Sequence, residues 1–396
     1  MSTLKVTNLQ HASSGSASIT LDSGGTASFN GKDVSGIASI NGGQIGGSRN
    51  LATNGAMTVA QRGASTSGVT TSGYYGPDRF QFIVNTAGTW TVSQASDGPD
   101  GFARSYGLSC TTADASLAAG DYVYVAQILE GQDLQQLKKG TADAVSVTLS
   151  FWVKSSKTGT YTIELRDVDN GRHIASTYTV DAANTWEYKT ITYAGDATGA
   201  FTNDNNASLY VNFWLAAGSQ YTSGSLATSW ASLSDANRVS ASNVNLADST
   251  SNNFYITGVQ LEVGSQATPF EHRPYGDELA RCQRYYWQEG GESGVGNDYV
   301  MFGQGLIGGS GKANTFLNNP VIMRAEPTLS LTSASNGFYV NDGVVANAGG
   351  TISPDQSGTK ISNVLFNNTT SMTTGNPCVV YRDGTVQCII KVDAEL

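Results

Sequence analysis

Apolar and polar residues alternate along two long stretches in the middle of the chain. Residues 145–154 and 208–215 each place an apolar side chain at every second position. Successive side chains of a strand point to opposite faces, so this period of two indicates strands with one buried face. The expected inward side chains are Val145, Val147, Leu149, Phe151, Val153, Leu209, Val211, Phe213 and Leu215. We predict an all-β protein with a central jelly-roll β-sandwich over residues 50–274.

A hairpin and a short helical excursion are expected within this sandwich. Residues 161–167 and 173–180 flank the turn Asp169-Asn170-Gly171, and Asn-Gly tolerates the positive φ that a tight hairpin requires. Residues 132–139 lie between two glycines and favour a single helical excursion on the surface.

The segment 275–288 predicts a short helix that links two modules. Pro269 and Pro274 keep the residues before them extended, so the helix can begin only after them. Asp277 can cap its start, and helical spacing places three residues on one side before an end near Trp287. These three residues are Leu279, Cys282 and Tyr286.

Residues 289–396 are expected to form a small, sandwich-like β module, with glycine and asparagine turns between short apolar runs. The runs are residues 299–307, 328–332, 337–341 and 360–366. A last hairpin is expected to turn at Asp383-Gly384. Its second strand would line one face with Val386, Cys388, Ile390 and Val392.

The pairing of two cysteines stays open on the sequence alone. If only Asp383 and Gly384 form the loop, Cys378 and Cys388 miss each other by one residue. If Arg382 joins the loop, the two cysteines face each other. Reduced thiols are the default expectation, because the chain is expected to assemble in a reducing cytoplasm.

Residues 1–49 cannot bury a core by themselves, because Phe29 is their only aromatic residue. A loose repeat predicts three strands that are each too short and too poor in apolar residues to fold alone: SASI at 16–19, TASF at 26–29 and IASI at 37–40. A homotrimeric anchor in which several chains share one core would solve this problem. A floppy tail is the alternative.

Charge and composition exclude several classes of function. The net charge is −10, and no cluster of Lys and Arg forms the basic face that nucleic-acid binding needs. No apolar run reaches the roughly 18 residues of a membrane span, and the N-terminus lacks a signal-peptide pattern. The cysteines and histidines show no metal-ligand spacing. We expect no nucleic-acid partner, no membrane insertion and no catalytic metal.

Outward aromatic and polar side chains of the sandwich suggest a glycan-binding site. Aromatic rings pack on the apolar face of a sugar, while charged and amide groups hydrogen-bond its hydroxyls. The candidates are Trp152, Glu164, Arg166, Tyr210, Asn212 and Trp214. A loop, a second domain or a neighbouring subunit can equally cover such side chains.

Three parts of the sequence resemble tail-fibre and related fibre proteins of marine and cyanobacterial phages. The string VQLEVGSQATPFE at 259–271, followed by CQRYYW at 282–287, resembles the end of their central domain. The opening string at 1–22 and the strings NLATNGAMTVAQRG and GPDRFQF within 50–82 resemble their start and the entry to that domain. The resemblance implies a virion protein that attaches to phage tail or neck proteins through its N-terminus. Resemblance to carbohydrate-binding jelly rolls also allows a structural calcium ion at residues 167–170, although that turn lacks a full calcium-loop pattern.

Three functions compete on this basis. A receptor-binding fibre needs oligomeric β-structure, an anchor and an outward polar and aromatic surface, and all three are expected here. A capsule-degrading enzyme would need a pair of carboxylates and usually a long β-helix repeat, and the sequence shows no such repeat. A structural fibre on the head, neck or collar is the third. We expect a non-enzymatic fibre subunit, assembled in the host cytoplasm, that binds a host-surface polysaccharide.

Overall fold

A computed structural model describes residues 48–291, 300–309, 312–333, 338–344, 346–348, 351–367, 369, 371–382 and 388–396, together with short strands before Ser48. Within these ranges antiparallel sheets dominate, which confirms the all-β prediction. The helices in these ranges are all too short or too polar to span a membrane.

The structure describes five short strands before Ser48, and the second, third and fourth of them overlap the repeated motifs. They are β1 (Asn8–Leu9), β2 (Ile19–Leu21), β3 (Ala27–Ser28), β4 (Ser39–Ile40) and β5 (Gly43–Gln44). β1, β2 and β3 pair in that order, and β4 pairs with β5. Whether several chains share this segment stays a prediction.

Two antiparallel sheets make up the middle of the chain. Their strands are β6 (Ser65–Val69), β7 (Gly73–Tyr74), β8 (Phe80–Asn85), β9 (Thr89–Ala95), β10 (Ser105–Thr112), β11 (Tyr122–Glu130), β12 (Val147–Ser155), β13 (Gly159–Asp167), β14 (Arg172–Val180), β15 (Glu187–Tyr193), β16 (Ala207–Ala217), β17 (Ala231–Ser232) and β18 (Asn253–Val263). The front sheet has the strand order β15-β12-β18-β10-β9-β6. The back sheet has the order β17-β14-β13-β16-β11-β8-β7.

The inward side chains of the two sheets meet in one core. Phe151 of the front sheet and Phe213 of the back sheet have ring centroids 5.3 Å apart. Trp90 and Phe82 form a second such pair at 6.0 Å. The alternating apolar positions of β12 and β16 are buried as the sequence predicts, which confirms the sandwich.

The hairpin and the helical excursion are also present. Asp167 of β13 pairs with Arg172 of β14, and Gly171 in the turn has the expected positive φ of 59°. A 3-10 helix at Gly131–Leu137 forms the excursion and buries Leu134 in the sandwich core. Further short helices are α1 (Ser219–Thr222) and the 3-10 turns Asp235–Asn237 and Leu246–Asp248.

The linking helix differs from its prediction. α2 spans Tyr275–Gln283, and Asp277 lies inside its first turn instead of capping it. Its buried side chains are Glu278 and Cys282, whereas Leu279 is only half-buried. The residues after α2 pair as a strand, so Tyr286 lies on this strand and not on the helix, and Trp287 belongs to a second core.

The C-terminal module contains two further sheets. Its strands are β19 (Tyr286–Gly291), β20 (Val300–Gly308), β21 (Lys312–Asn318), β22 (Thr328–Ser333), β23 (Phe338–Asn341), β24 (Ala346–Ala348), β25 (Thr351–Ser357), β26 (Ile361–Asn367), β27 (Pro377–Arg382) and β28 (Cys388–Asp393). The small sheet has the order β19-β28-β22, and the large sheet has the order β24-β23-β27-β20-β21-β26-β25. Trp287, Phe366 and Val392 belong to the core that the two sheets share.

The predicted last hairpin is wrong. β27 pairs with β20 and β23 in the large sheet, whereas β28 pairs with β19 and β22 in the small sheet. Val380 and Ile390 therefore enter the shared core from different sheets. The expected turn at residues 383–387 lies outside the described residues. Cys378 is a buried free thiol, and burial raises its pKa.

Glu395 joins the C-terminal module to the central sandwich. Its carboxylate accepts hydrogen bonds from the guanidinium groups of Arg62, at 3.2 Å, and Arg79. Arg79 is 2% exposed, and its guanidinium carbon lies 3.4 Å from the ring centroid of Tyr285. A buried cation is tolerated only with a partner, so this ion pair fixes how the two modules meet.

Replacing Glu395 by Gln keeps the shape of the side chain and removes the charge opposite Arg79. We expect the free energy of unfolding to fall by about 3 kcal/mol, because a buried guanidinium loses its carboxylate. Urea denaturation of the full chain measures this loss. Asp393→Asn is the matched control, since the Asp393 side chain is 43% exposed and its loss should cost less than about 1 kcal/mol. Equal losses in the two variants would contradict the special position of Glu395.

Candidate functional site

The residues predicted to bind glycan do not form one site. Trp152 lies on β12 and faces outward from the front sheet, whereas the other candidates lie on β13 and β16 of the back sheet. The sandwich core separates these two faces. Alternation shows that a side chain points away from the core, but it does not show to which of the two sheets its strand belongs. The prediction therefore combined residues from two separate surfaces.

The back-sheet candidates surround one buried carboxylate. Glu164, Asn212 and Trp214 are each 0% exposed. The Glu164 carboxylate accepts hydrogen bonds from Asn212 Nδ2 at 3.0 Å, Trp214 Nε1 at 3.2 Å, His173 Nδ1 at 3.0 Å and Arg238 Nε at 2.9 Å. Burial alone would raise the pKa of Glu164, but the hydrogen bonds from His173 and Arg238 outweigh it and lower the pKa to about 2. Glu164 is therefore an ionised structural centre.

Residues 218–239, here called the cover segment, run over the outer face of the back sheet and also supply its edge strand β17. Tyr221 and Val239 of this segment pack on Tyr124 and Trp214 in a small hydrophobic cluster. The Arg238 guanidinium carbon also lies 4.9 Å from the ring centroid of Trp214. The prediction of an exposed platform is thus wrong for Glu164, Asn212 and Trp214, because the outer face of their sheet carries a second buried layer.

Arg166 and Tyr210 are the remaining back-sheet candidates. Both are half-buried, and the Arg166 guanidinium carbon lies 6.0 Å from the Tyr210 ring centroid. Tyr210 packs against the cluster under the cover segment. The two side chains therefore support the edge of a structural cluster, and they lie on the sheet opposite Trp152.

An ammonium group contacts Asp167, the first residue of the turn expected to allow calcium. Lys139 Nζ lies 2.6 Å from Asp167 Oδ2, 3.1 Å from Asp196 Oδ2, and 2.9 and 2.8 Å from the carbonyl oxygens of Thr198 and Gly199. Two carboxylates and two carbonyls are a donor set that Ca²⁺ also prefers. The described residues contain no group of three or more His, Cys, Asp or Glu side chains that could hold a metal ion.

An aromatic surface lies on the outer face of the front sheet. It consists of Phe102, Trp152, Trp186, Tyr188 and Tyr255. Trp152 pairs with Tyr188 across β12 and β15, with ring centroids 5.3 Å apart. Trp186 and Tyr255 follow in the next cross-strand row, with ring centroids 6.5 Å apart. These rings are all half-buried except that of Tyr188, which is 45% exposed.

An ion pair is placed among these rings. Lys154 Nζ lies 5.2 Å from the ring centroid of Trp186 and 4.8 Å from that of Tyr255. Lys154 also donates to Asp97, which accepts from Trp186 Nε1 at 3.2 Å. The hydrogen bond from Lys154 lowers the pKa of Asp97, so this carboxylate stays ionised. Asp97 is 45% exposed and can accept hydrogen bonds from a ligand beside the rings.

Two glycines allow the rings to lie close to the sheet. A Cβ atom on Gly258 would lie 2.8 Å from Phe102 Cζ and 3.1 Å from Trp152 Cδ1. Gly258 also has a positive φ of 61° at an irregularity in the pairing of β12 and β18. A Cβ atom on Gly107 would lie 3.1 Å from the ring of Tyr255. The aromatic surface therefore requires glycine at positions 107 and 258 as well as its aromatic residues.

Sequence reasoning found Trp152 and missed its neighbours. Trp186 and Tyr188 alternate with Glu187 in the sequence, and Tyr255 alternates with buried Phe254 in β18. This is the same period-two signal that identified Trp152. This pattern could have identified the individual side chains. Only the strand order of the folded sheet shows that β15, β12 and β18 are neighbours.

No protein family and no curated protein matches this sequence. Among solved structures, the enzymatically active domain of tailspike protein 4 from bacteriophage CBA120 has 16% identity and a TM-score of 0.29 over 54% of this chain and 21% of that one. This chain thus spans about a fifth of that structure. A putative sugar binding protein from Bacteroides thetaiotaomicron has 10% identity and a TM-score of 0.31, over 54% of this chain and 100% of that one. The N-terminal cellulose-binding domain of Cellulomonas fimi β-1,4-glucanase C has 13% identity and a TM-score of 0.27, over 53% and 100%. These values do not assign the chain to a family.

Glu164→Gln removes the charge that holds Arg238. We expect a loss of about 3 kcal/mol near neutral pH. The folded-state pKa of about 2 lies below the ordinary 4.5, and a lowered pKa gives stability that is present above the unfolded-state value and lost as the pH falls through the folded-state value. The difference between parent and variant should therefore shrink from pH 4.5 towards pH 2, as measured by urea unfolding.

Asp235→Asn is the control for this experiment, because Asp235 faces the same Arg238 at 3.5 Å but is 47% exposed. It should cost less than about 1 kcal/mol. A parent-to-Gln difference that stays constant over the acidic range would contradict a charged Glu164.

Lys139 should make the parent protein insensitive to calcium. EDTA or added Ca²⁺ should leave the melting temperature of the parent unchanged, because the ammonium already neutralises Asp167 and Asp196. Lys139→Ala leaves Asp167 without its cation and Asp196 with Arg172 alone, so its melting temperature should fall and should rise again with calcium. Differential scanning fluorimetry measures each case. A parent that is destabilised by EDTA would refute the prediction.

Proposed function

We propose that this protein is a non-enzymatic subunit of a phage virion fibre that binds a host-surface polysaccharide. The aromatic surface of the front sheet carries the binding part of the proposal. The virion part rests on the resemblance of the N-terminal and junction strings to phage fibre proteins. In this proposal the N-terminal strands attach three copies of the chain to tail or neck proteins.

The chemistry of the aromatic surface suits a sugar. Trp152 and Tyr188 offer ring faces on which the C–H groups of a pyranose can pack. Asp97 accepts hydrogen bonds and Lys154 donates them, and both side chains contact Trp186 in the neighbouring row of the same surface. Because these two groups already hold each other in place, a sugar hydroxyl meets oriented partners and little side-chain entropy is lost on binding.

Glu164 and Asp97, the carboxylates that contact the candidate aromatic residues, are unsuited to hydrolysis. A general acid in glycoside cleavage needs a raised pKa, so that it carries a proton at working pH. The pKa of Glu164 is lowered to about 2, and that of Asp97 is also lowered. Glu164 is moreover fully buried, so it cannot contact a substrate. Both groups can accept hydrogen bonds, but neither is suited to donate a proton.

Single sites of this kind are expected to be weak. A sugar on an open sheet face buries little area and keeps part of its hydration. Three sites on one fibre, with several fibres on one virion, raise the apparent affinity by orders of magnitude without new contacts. A homotrimer therefore fits a function in which each single site releases its sugar readily while the virion as a whole stays attached to the cell.

Trp152→Ala and Tyr188→Ala should each weaken adsorption of the purified protein to susceptible cells by roughly tenfold, because each removes one ring from the sugar platform. Tyr275→Ala is the matched control, since Tyr275 is 59% exposed but lies on α2. Trp214→Ala should instead lower the melting temperature, because Trp214 is 0% exposed. Cell pull-down and thermal unfolding measure the two effects.

Each other outcome selects a different function. Folded Trp152 and Tyr188 variants that adsorb as well as the parent would remove the aromatic surface from the proposal. A parent protein that does not adsorb would favour the structural fibre on the head, neck or collar. Release of soluble sugar from the cell envelope would show an enzyme.

A further inference from the structure

The outer face of the large C-terminal sheet is exposed and apolar. Met301, Leu306, Phe316 and Ile361 are 57%, 55%, 54% and 47% exposed. They come from β20, β21 and β26, which are neighbours in the sheet. Large apolar side chains that gather on one face are uncommon on a free protein surface and indicate an interaction site.

Strand register shows that these side chains share one face. On β21, Ala313, Thr315 and Leu317 are buried, so the residues between them point away from the core. Phe316 lies opposite Gln304 on one side and Asn363 on the other. Leu306 and Leu365 flank Asn314 in the next row. We call these outward residues of β20, β21 and β26 the outer C-terminal face.

The outer C-terminal face is nearly free of charge. Among the described outward side chains of β20, β21 and β26, only Lys312 is charged, and the polar ones are amides. The whole chain carries a net charge of −10, so two copies repel each other over most of their surface. The electrostatic repulsion between two copies is therefore smallest where they approach each other through a neutral, apolar face.

We propose that the outer C-terminal face packs against the same face in other copies of this chain. The face belongs to the large sheet, in which seven strands are described. With strands spaced by about 4.8 Å and roughly 20 Å long, the three strands of the face cover on the order of 300 Å², and the outer side of the whole sheet covers on the order of 600 Å². A stable interface buries about 800 Å² per partner, so the copies would meet over the whole outer side of the sheet, with the apolar face at its middle. Leu306 and Phe316 lie at its centre, where partners exclude water most completely.

This inference rests on the self-assembly in the proposed function and names the surface where the copies meet. It does not depend on glycan binding. The inner face of the large sheet is already covered by the small sheet through the second core. The copies would therefore meet on the side of the C-terminal module that faces away from its own core.

Leu306→Glu combined with Phe316→Glu tests the proposal, because it places like charges opposite each other between copies. Both side chains are more than half exposed, so the fold of one chain should tolerate the change. Ile322→Glu is the matched control: Ile322 is 57% exposed and lies between β21 and β22, outside the face. Analytical ultracentrifugation of the full chain should show an oligomer for the parent and the control, and at least tenfold weaker association for the double variant.

Cysteine cross-linking gives a second test that does not disturb packing. Asn314→Cys should form a disulfide between copies under mild oxidation, whereas Ile322→Cys and the parent should not.

A folded double Glu variant that keeps the parent's mass, or no cross-link at residue 314 in an oligomeric protein, would overturn the face alone. A monomeric parent would overturn both the face and the proposed self-assembly. A double Glu variant that keeps its mass but no longer adsorbs to cells would assign the face to glycan binding instead.

Discussion

The buried carboxylate of Glu164 explains why the back sheet of the sandwich is closed to a ligand. It lies on the outer face of the back sheet, where an unpaired charge would be strongly destabilising, and so it requires Arg238 above it. Arg238 belongs to the cover segment, and the segment brings Tyr221 and Val239 onto the rings beneath. The back sheet is thereby closed by its own chain. The front sheet also carries a buried carboxylate, Glu262 of β18, which accepts hydrogen bonds from Gln260 and Thr268. That cover leaves the aromatic rings half-buried, and Tyr188 is 45% exposed.

Cations inside this protein hold together parts that are far apart in sequence. Lys139 binds Asp167 and the loop before Phe201, and Arg79 binds the C-terminal module. The chain has only 22 Lys and Arg residues, and several of them are directed inward. Such pairs add little stability over apolar packing, but they tolerate only one arrangement of their partners. They therefore specify how the layers and modules fit together.

Much of the fold followed from local pattern, and the errors arose where local pattern says nothing about sheet membership. The strands at residues 147–155 and 207–217 were predictable, because Phe151 and Phe213 alternate with polar neighbours. The placement of Trp152 and Trp214 on opposite faces was not, since both look outward in sequence. The last hairpin failed for the same reason: an Asp-Gly turn between two apolar runs predicts pairing, but a core that needs a strand from each sheet separates them. The sequence also did not predict that the cover segment lies on the back sheet. Arg238 lies 74 residues from Glu164, and no local pattern connects the two.

The contact between Arg79 and Glu395 has a consequence for the time course of synthesis. The two residues are separated by 316 positions, so a ribosome that adds roughly 5–20 residues per second makes Glu395 about 15–60 s after Arg79. During that interval the central sandwich can form most of its sheets, but one of its innermost guanidinium groups lacks a carboxylate. A chain that is cut short in its second module keeps this defect permanently. A residue of the second module thus completes the charge pairing of the first.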